Sequence, residues 1–140
     1  MKKIYPTIFT QTNDGFLIEV PDLEILTEGT DMENAIDMAR DAISITLVSM
    51  EENNEPIPEA SSINDIDISK STFAGNGKGF ISLVDTDTKE YRRKIDTTPV
   101  RRNVSLPSWL NYEVNAAGIN VSRVLQDALM EKLNINHPLR

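Results

Sequence analysis

Two hydrophobic periodicities divide this chain. Near its start, β-branched and aromatic residues crowd short runs. Ile4–Thr10 (IYPTIFT) and Phe16–Val20 (FLIEV) each read as a strand. The turn residues Asn13-Asp14-Gly15 lie between them, so an antiparallel hairpin is expected. Pro21-Asp22 breaks the second run, and Ile25–Glu28 reads as a short third strand closed by Gly29. The period then changes. Met32, Ala35, Ile36, Ala39, Ala42, Ile43, Ile45, Thr46, Leu47 and Met50 recur at helical spacing, with Glu33, Asp37, Arg40, Asp41 and Ser44 opposite. That is one buried stripe on an amphipathic helix, capped by Thr30 or Asp31 and ending near Glu51-Glu52.

Asn53–Ser62 holds too many prolines and polar residues to continue the helix. Asn64–Ser69 alternates Ile66 and Ile68 with polar residues, as an edge strand or a loop. Phe73–Gly79 reads as flexible, and Phe80–Val84 (FISLV) as a fourth strand. Thr88–Lys94 is either a short helix or an extended connector, and a domain boundary is expected at Asp96–Pro99. The order strand–strand–strand–helix–strand implies an α+β fold: a small antiparallel sheet with a long helix on one face.

The last third has a pattern of its own. In Arg101–Leu106, Val104 and Leu106 share one side while Arg101, Asn103 and Ser105 share the other. Pro107 stops that strand and suits a first helical turn. A helix to Ala117, Gly118 at its left-handed cap, Asn120 as the next cap and a helix over Val121–Leu133 complete the segment. A piece of about 35 residues rarely supplies its own core. The economical solution is a homodimer in which strand pairs with strand and four helices share a core. Val104, Leu106, Trp109, Leu110, Val114, Leu125, Ala128, Leu129 and Leu133 are the candidate dimer core. The ribbon would then present Arg101, Asn103 and Ser105 of each copy, a shape that fits a DNA major groove. Arg102, on the side of Val104 and Leu106, would lie at the edge of the core or reach a phosphate at the ribbon's end. Asn120, Val121 and Ser122, with Arg123, open a helix whose free N–H groups can hold a backbone phosphate.

Charge changes this picture in one respect. The formal net charge is -8, which is unusual for a DNA binder, but it is unevenly spread. Residues 13 to 67 hold fifteen carboxylates against the single Arg40, whereas residues 99 to 140 hold five basic side chains against three acidic ones. One end can face a polyanion, and the other would attract a cationic partner. The chain has no cysteine, so thiol chemistry and disulfides are excluded. No apolar run approaches the roughly 18 residues of a membrane span, and the MKKIYPTIF start lacks a secretory pattern, so a cytoplasmic protein with no membrane contact is expected.

Candidate chemistry is thin. Asp14, Glu19, Asp22 and Glu24 lie close in sequence and could hold metal ions in a nuclease. They read better as solvated turn and edge acids, because no metal-ligand spacing accompanies them. His137 belongs to a tail and reads as a surface residue. Gly75, Gly77 and Gly79 precede a strand instead of opening a helix, so no phosphate cradle is expected and Lys78 reads as solvated. Arg92, Arg93 and Lys94 form either a solvated linker or a supplementary phosphate contact. No catalytic residue, metal or cofactor is expected.

RNVSLPSWL…AAGINVSRVLQDAL resembles a ribbon-helix-helix DNA-binding domain of the Arc/MetJ-like kind over Val100–Leu133. YPTIFTQTNDGFLIEVPDLEILTEGTDMENAIDMARDAI…EENNEPIPEAS is similar to the amino-terminal domain of HicB-type antitoxins. The family often carries Pro-Gly-Cys after Pro-Asp-Leu, where this chain has Glu24, Ile25 and Leu26, which puts the local turn geometry in question. The resemblance implies a partial ribonuclease H-like fold over residues 1–96 that binds and masks a small basic HicA-type ribonuclease toxin. It also implies a ribbon-helix-helix domain over residues 99–134 that represses its own operon as a dimer or tetramer on operator DNA. The competing readings are a ligand-sensing repressor without a toxin and an acidic scaffold that the ribbon merely dimerises.

Overall fold

The computed structural model describes residues 1–135. His137 and Arg140 lie outside them. The chain divides into two compact units, Met1–Arg92 and a second that begins at Arg93.

The first unit is a four-stranded antiparallel sheet with a long helix packed against it. Strands β1 (Lys2–Thr12), β2 (Gly15–Val20) and β3 (Ile25–Gly29) precede helix α1 (Met32–Glu52), and β4 (Lys78–Asp87) follows it. The spatial order is β3-β2-β1-β4. Because β1 is central, six of its eleven residues, Tyr5–Thr10, are buried, on both faces of the sheet. The register places Tyr5 opposite Val84, Phe9 opposite Ile18, and Val20 opposite Ile25. These side chains form the helix-side face. Against them α1 lays Ala35, Ala39, Ile43 and Leu47, each four residues apart and fully buried. The two alanines let the start of the helix approach the sheet closely, and each fully buried Ile or Leu contributes about 1.5–3 kcal/mol. The helix begins where Asp31 Oδ1 accepts from the Asn34 amide at 2.8 Å, so Asp31, not Thr30, is the cap.

The structure refines three sequence readings. Between Pro21 and Leu23 the chain makes one 3-10 turn that ends in Glu24, whose φ of 54° and ψ of 38° are left-handed. A proline could not adopt that φ, so the turn made here at Glu24 differs from one with proline in its place. Of the two readings of Asn64–Ser69, edge strand or loop, the structure takes the loop: the chain makes two 3-10 turns, Ile63–Asp65 and Ile68–Lys70, because Ser62 and Asp67 side chains cap the backbone locally. Gly77 and Gly79 answer packing more than flexibility, whereas Gly75 faces open space. A Cβ at Gly77 would overlap the Gln11 carbonyl, since the chain passes directly over β1 there to enter β4.

Thr88–Ile95 is helical (α2). Arg92 on it bonds Glu51 at 2.8 Å and Glu52 at 3.3 Å, which ties it to the end of α1 and takes it out of the set of free phosphate ligands. Burial and the Asp41 carboxylate push the Tyr91 hydroxyl pKa up.

In the second unit, α3 (Ser108–Ala117) and α4 (Val121–Lys132) are joined by a turn at Gly118. Gly118 has φ 65°, its N–H reaches the Asn115 carbonyl, and the Ile119 N–H reaches the Val114 carbonyl. That pair of bonds is a Schellman cap, which needs a residue free to be left-handed. Asn120 Oδ1 accepts from the Arg123 amide at 3.2 Å, as its cap position requires.

Candidate functional site

Two surfaces carry the chemistry anticipated from the sequence, one on each unit.

On the second unit, Arg101–Leu106 makes no ladder bonds among the described residues, so the expected strand is not present as a strand in the single chain. A β-strand is stable only through its partner's hydrogen bonds, and a lone segment has none to offer itself. Arg101, Arg102, Asn103 and Ser105 are all exposed, as are Asn120, Val121, Ser122 and Arg123 at the start of α4. The nine candidate core residues are not enclosed either. Leu110, Val114 and Leu125 are half-buried; Val104, Leu106, Trp109, Ala128, Leu129 and Leu133 are exposed, with Trp109 at 68 %. No residue of α3 or α4 is buried. Two helices of ten and twelve residues cannot enclose these side chains by themselves.

On the first unit, the four acids weighed as a nuclease centre are separated by their work. Glu19 accepts from Ser71 Oγ at 2.7 Å, Thr72 Oγ1 at 2.8 Å and the Thr72 amide at 3.1 Å. Asp22 accepts from Ser61 Oγ at 2.6 Å and the Ser61 amide at 2.8 Å. Both carboxylates clamp one long strap, residues 53–77, over the sheet face opposite α1. Ile8 and Glu19 on the sheet, Pro21 just after β2, and Asp65–Asp67, Lys70 and Ser71 on the strap line a small cleft between them. Tyr5 anchors the start of the strap by donating its hydroxyl to the Pro58 carbonyl at 2.7 Å. Burial first, then Asp22 and Glu59, push the Tyr5 pKa up. Within the strap, hydrogen bonds from the Ser69 hydroxyl and amide hold Asp67 below the usual carboxylate range. Glu24 and Asp14 are exposed and take no part in the clamp. Among the described residues no group of three or more His, Cys, Asp or Glu side chains is placed to hold a metal, and no helix is long and apolar enough to cross a membrane.

Sequence reasoning missed the clamp. A serine or threonine some fifty residues from its carboxylate leaves no periodic signal, so only the strap's abundance of Ser, Thr and Asn hinted at it.

Residues 5–135 match the family described as "HicB_like antitoxin of bacterial toxin-antitoxin system". An uncharacterized 14.9 kDa protein from the rep-hol intergenic region of Haemophilus phage HP1 (strain HP1c1) is 26% identical over 114 residues, 80% of this chain and 79% of that one. A chain of a toxin–antitoxin complex from Streptococcus pneumoniae shares the fold, with a TM-score of 0.61 at 24% identity over 94% of this chain and 99% of that one. The antitoxin HicB of Burkholderia pseudomallei aligns over 94% of this chain and 96% of its own, at 24% identity and a TM-score of 0.49.

Proposed function

Because the chain belongs to the HicB-like antitoxins of bacterial toxin–antitoxin systems, we propose that it neutralises a small, basic, mRNA-cleaving ribonuclease of the HicA type and represses its own operon. The sheet unit is the toxin-binding hand, of partial ribonuclease H-like fold. Its carboxylates have structural or electrostatic roles, and it performs no catalysis. Electrostatic attraction speeds the encounter with a cationic toxin, and apolar contacts hold the complex.

The second unit is a ribbon-helix-helix module spanning residues 99–134. Two copies pair their Arg101–Leu106 segments and enclose Val104, Leu106, Leu110, Val114 and Leu125 in one core. Arg101, Asn103 and Ser105 then enter the major groove, while the start of α4 and Arg102 hold phosphates. The observation that carries this reading is the combination of two well-capped helices with an apolar set that the single chain leaves uncovered. A second copy covers it and supplies the missing ladder in one step. Two such dimers can join into a tetramer that covers two half-sites.

The test is competition binding at fixed salt between the DNA upstream of the operon and an unrelated duplex. Asn103→Ala lowers the affinity for the upstream DNA by about 1–3 kcal/mol, the usual worth of a base-reading contact, and leaves the unrelated duplex unchanged. Equal losses on both duplexes overturn the base-reading role of Asn103.

A further inference from the structure

The antitoxin reading leaves open where on the first unit a cationic partner sits. The sheet has two open edges, β3 and β4, and they differ in kind. At the β4 edge the charges are mixed: Lys78, Asp85 and Asp87 lie along it, and Arg40 bonds both the carboxylate and the carbonyl of Asp85, at 3.0 Å and 3.1 Å. At the β3 edge they are of one sign. Leu26 and Glu28 alternate onto the face opposite α1, where Leu26 is opposite Glu19 and Glu28 opposite Leu17 in the register, and Glu24 precedes the strand in its left-handed turn. Leu26 is 55 % exposed although it is flanked by two strand residues that face the core side, Ile25 and Thr27. Glu24 and Glu28 are exposed and, among the described residues, bonded to no cation. The one arginine between residues 13 and 67, Arg40, is committed to β4, and the strap's Lys70 lies beside Asp67.

We propose that the outer edge of β3 is the docking surface for the small cationic toxin, with Leu26 as its apolar anchor and Glu24 and Glu28 as the carboxylates that receive the partner's basic side chains. This rests on the antitoxin reading and adds the surface to it. Charge complementarity selects the occupant. A nucleic acid would meet carboxylates here. A second copy of the chain pairing β3 with β3 would bring glutamates against glutamates, which destabilises a cross-strand pair. A cationic protein loses nothing to repulsion and gains an apolar contact in the middle of the charged pair, the arrangement in which a central desolvated side chain carries most of the affinity. The edge also offers unpaired backbone groups for an added strand.

The probe is the purified product of the reading frame adjacent to this gene, titrated against the full chain. Glu24→Lys/Glu28→Lys lowers the affinity at least tenfold and flattens the salt dependence of the association rate. Leu26→Ala, at an exposed position where the fold tolerates truncation, also lowers it at least tenfold. Glu55→Lys/Glu90→Lys makes the same change in net charge away from β3 and stays within twofold of the unmodified chain. If both β3 variants retain full affinity, or the control pair loses as much as they do, the β3 surface is wrong. If the unmodified chain forms no complex at all, the antitoxin reading with that partner fails first. Unchanged circular dichroism and melting of each variant separates lost contact from lost fold.

Discussion

Removing the Glu19 side chain should loosen the strap without unfolding the sheet. Glu19 accepts three hydrogen bonds, all from Ser71 and Thr72. Thr72 is exposed, so its two donors regain water when the carboxylate is lost, and each bond contributes only about 0.5 kcal/mol net. Ser71 is half-buried, and its bond to a charged acceptor is worth about 1.5 kcal/mol. Together Glu19→Ala lowers the free energy of strap opening by about 2–2.5 kcal/mol, a factor of about 30–60 in the open population. Lys70 is exposed and adjacent to the clamped Ser71, so trypsin reports the opening directly. Cleavage after Lys70 should accelerate about 30-fold at low protease, where the rate follows the open population. The sheet's own amide protection should hold, because β1–β4 pairing and the α1 core are untouched. Asp22→Ala, which frees Ser61 at the other end of the strap, should act in the same direction. An unchanged cleavage rate in Glu19→Ala would refute the clamp and return Glu19 to the pool of acids available for other chemistry.

Other expectations follow from single positions. Glu24→Gly removes a left-handed cost of about 1–2 kcal/mol for a residue with a Cβ against about 0.5–1 kcal/mol of extra backbone entropy in glycine; thermal melting should show a small gain in stability together with weaker partner binding, and a loss of stability contradicts the strain. Tyr5→Phe loses the bond to Pro58 and about 0.5–1.5 kcal/mol. Since the folded pKa of Tyr5 is raised above its ordinary value of 10.0, its stabilising contribution is complete below about pH 10 and is lost as pH rises through the folded pKa; the variant should flatten the alkaline limb of denaturant-measured stability, and an unaltered limb argues against the buried hydroxyl. Leu125→Ala should cost the dimer about 2–5 kcal/mol, read as a concentration-dependent melt and a shift to monomer in sedimentation; an unmoved dimer removes Leu125 from the shared core.

Local signals were enough for most of the sheet unit. Alternation in IYPTIFT and FLIEV, the Asn-Asp-Gly turn and the 3.6-residue stripe of α1 each need only a few neighbouring residues to be legible, because backbone geometry alone decides which side chains share a face. The same holds for the second unit, where Pro107, Gly118 and Asn120 mark helix ends through their own φ preferences and cap chemistry. Other features came from contacts between residues far apart in sequence. Which strand became central, and hence that β1 is buried on both faces, depended on pairing with β4 some seventy residues later. The strap over the back of the sheet is held by Glu19 and Asp22 through partners 39 to 53 residues away, so two acids that read as idle became structural. Glu24 in a left-handed turn and Leu26 exposed at an open edge are likewise consequences of how the sheet closes, since exposure is set by what packs on top and carries no periodic mark. A one-dimensional pattern encodes the direction of a side chain; the neighbour that meets it is set only when the chain folds back on itself.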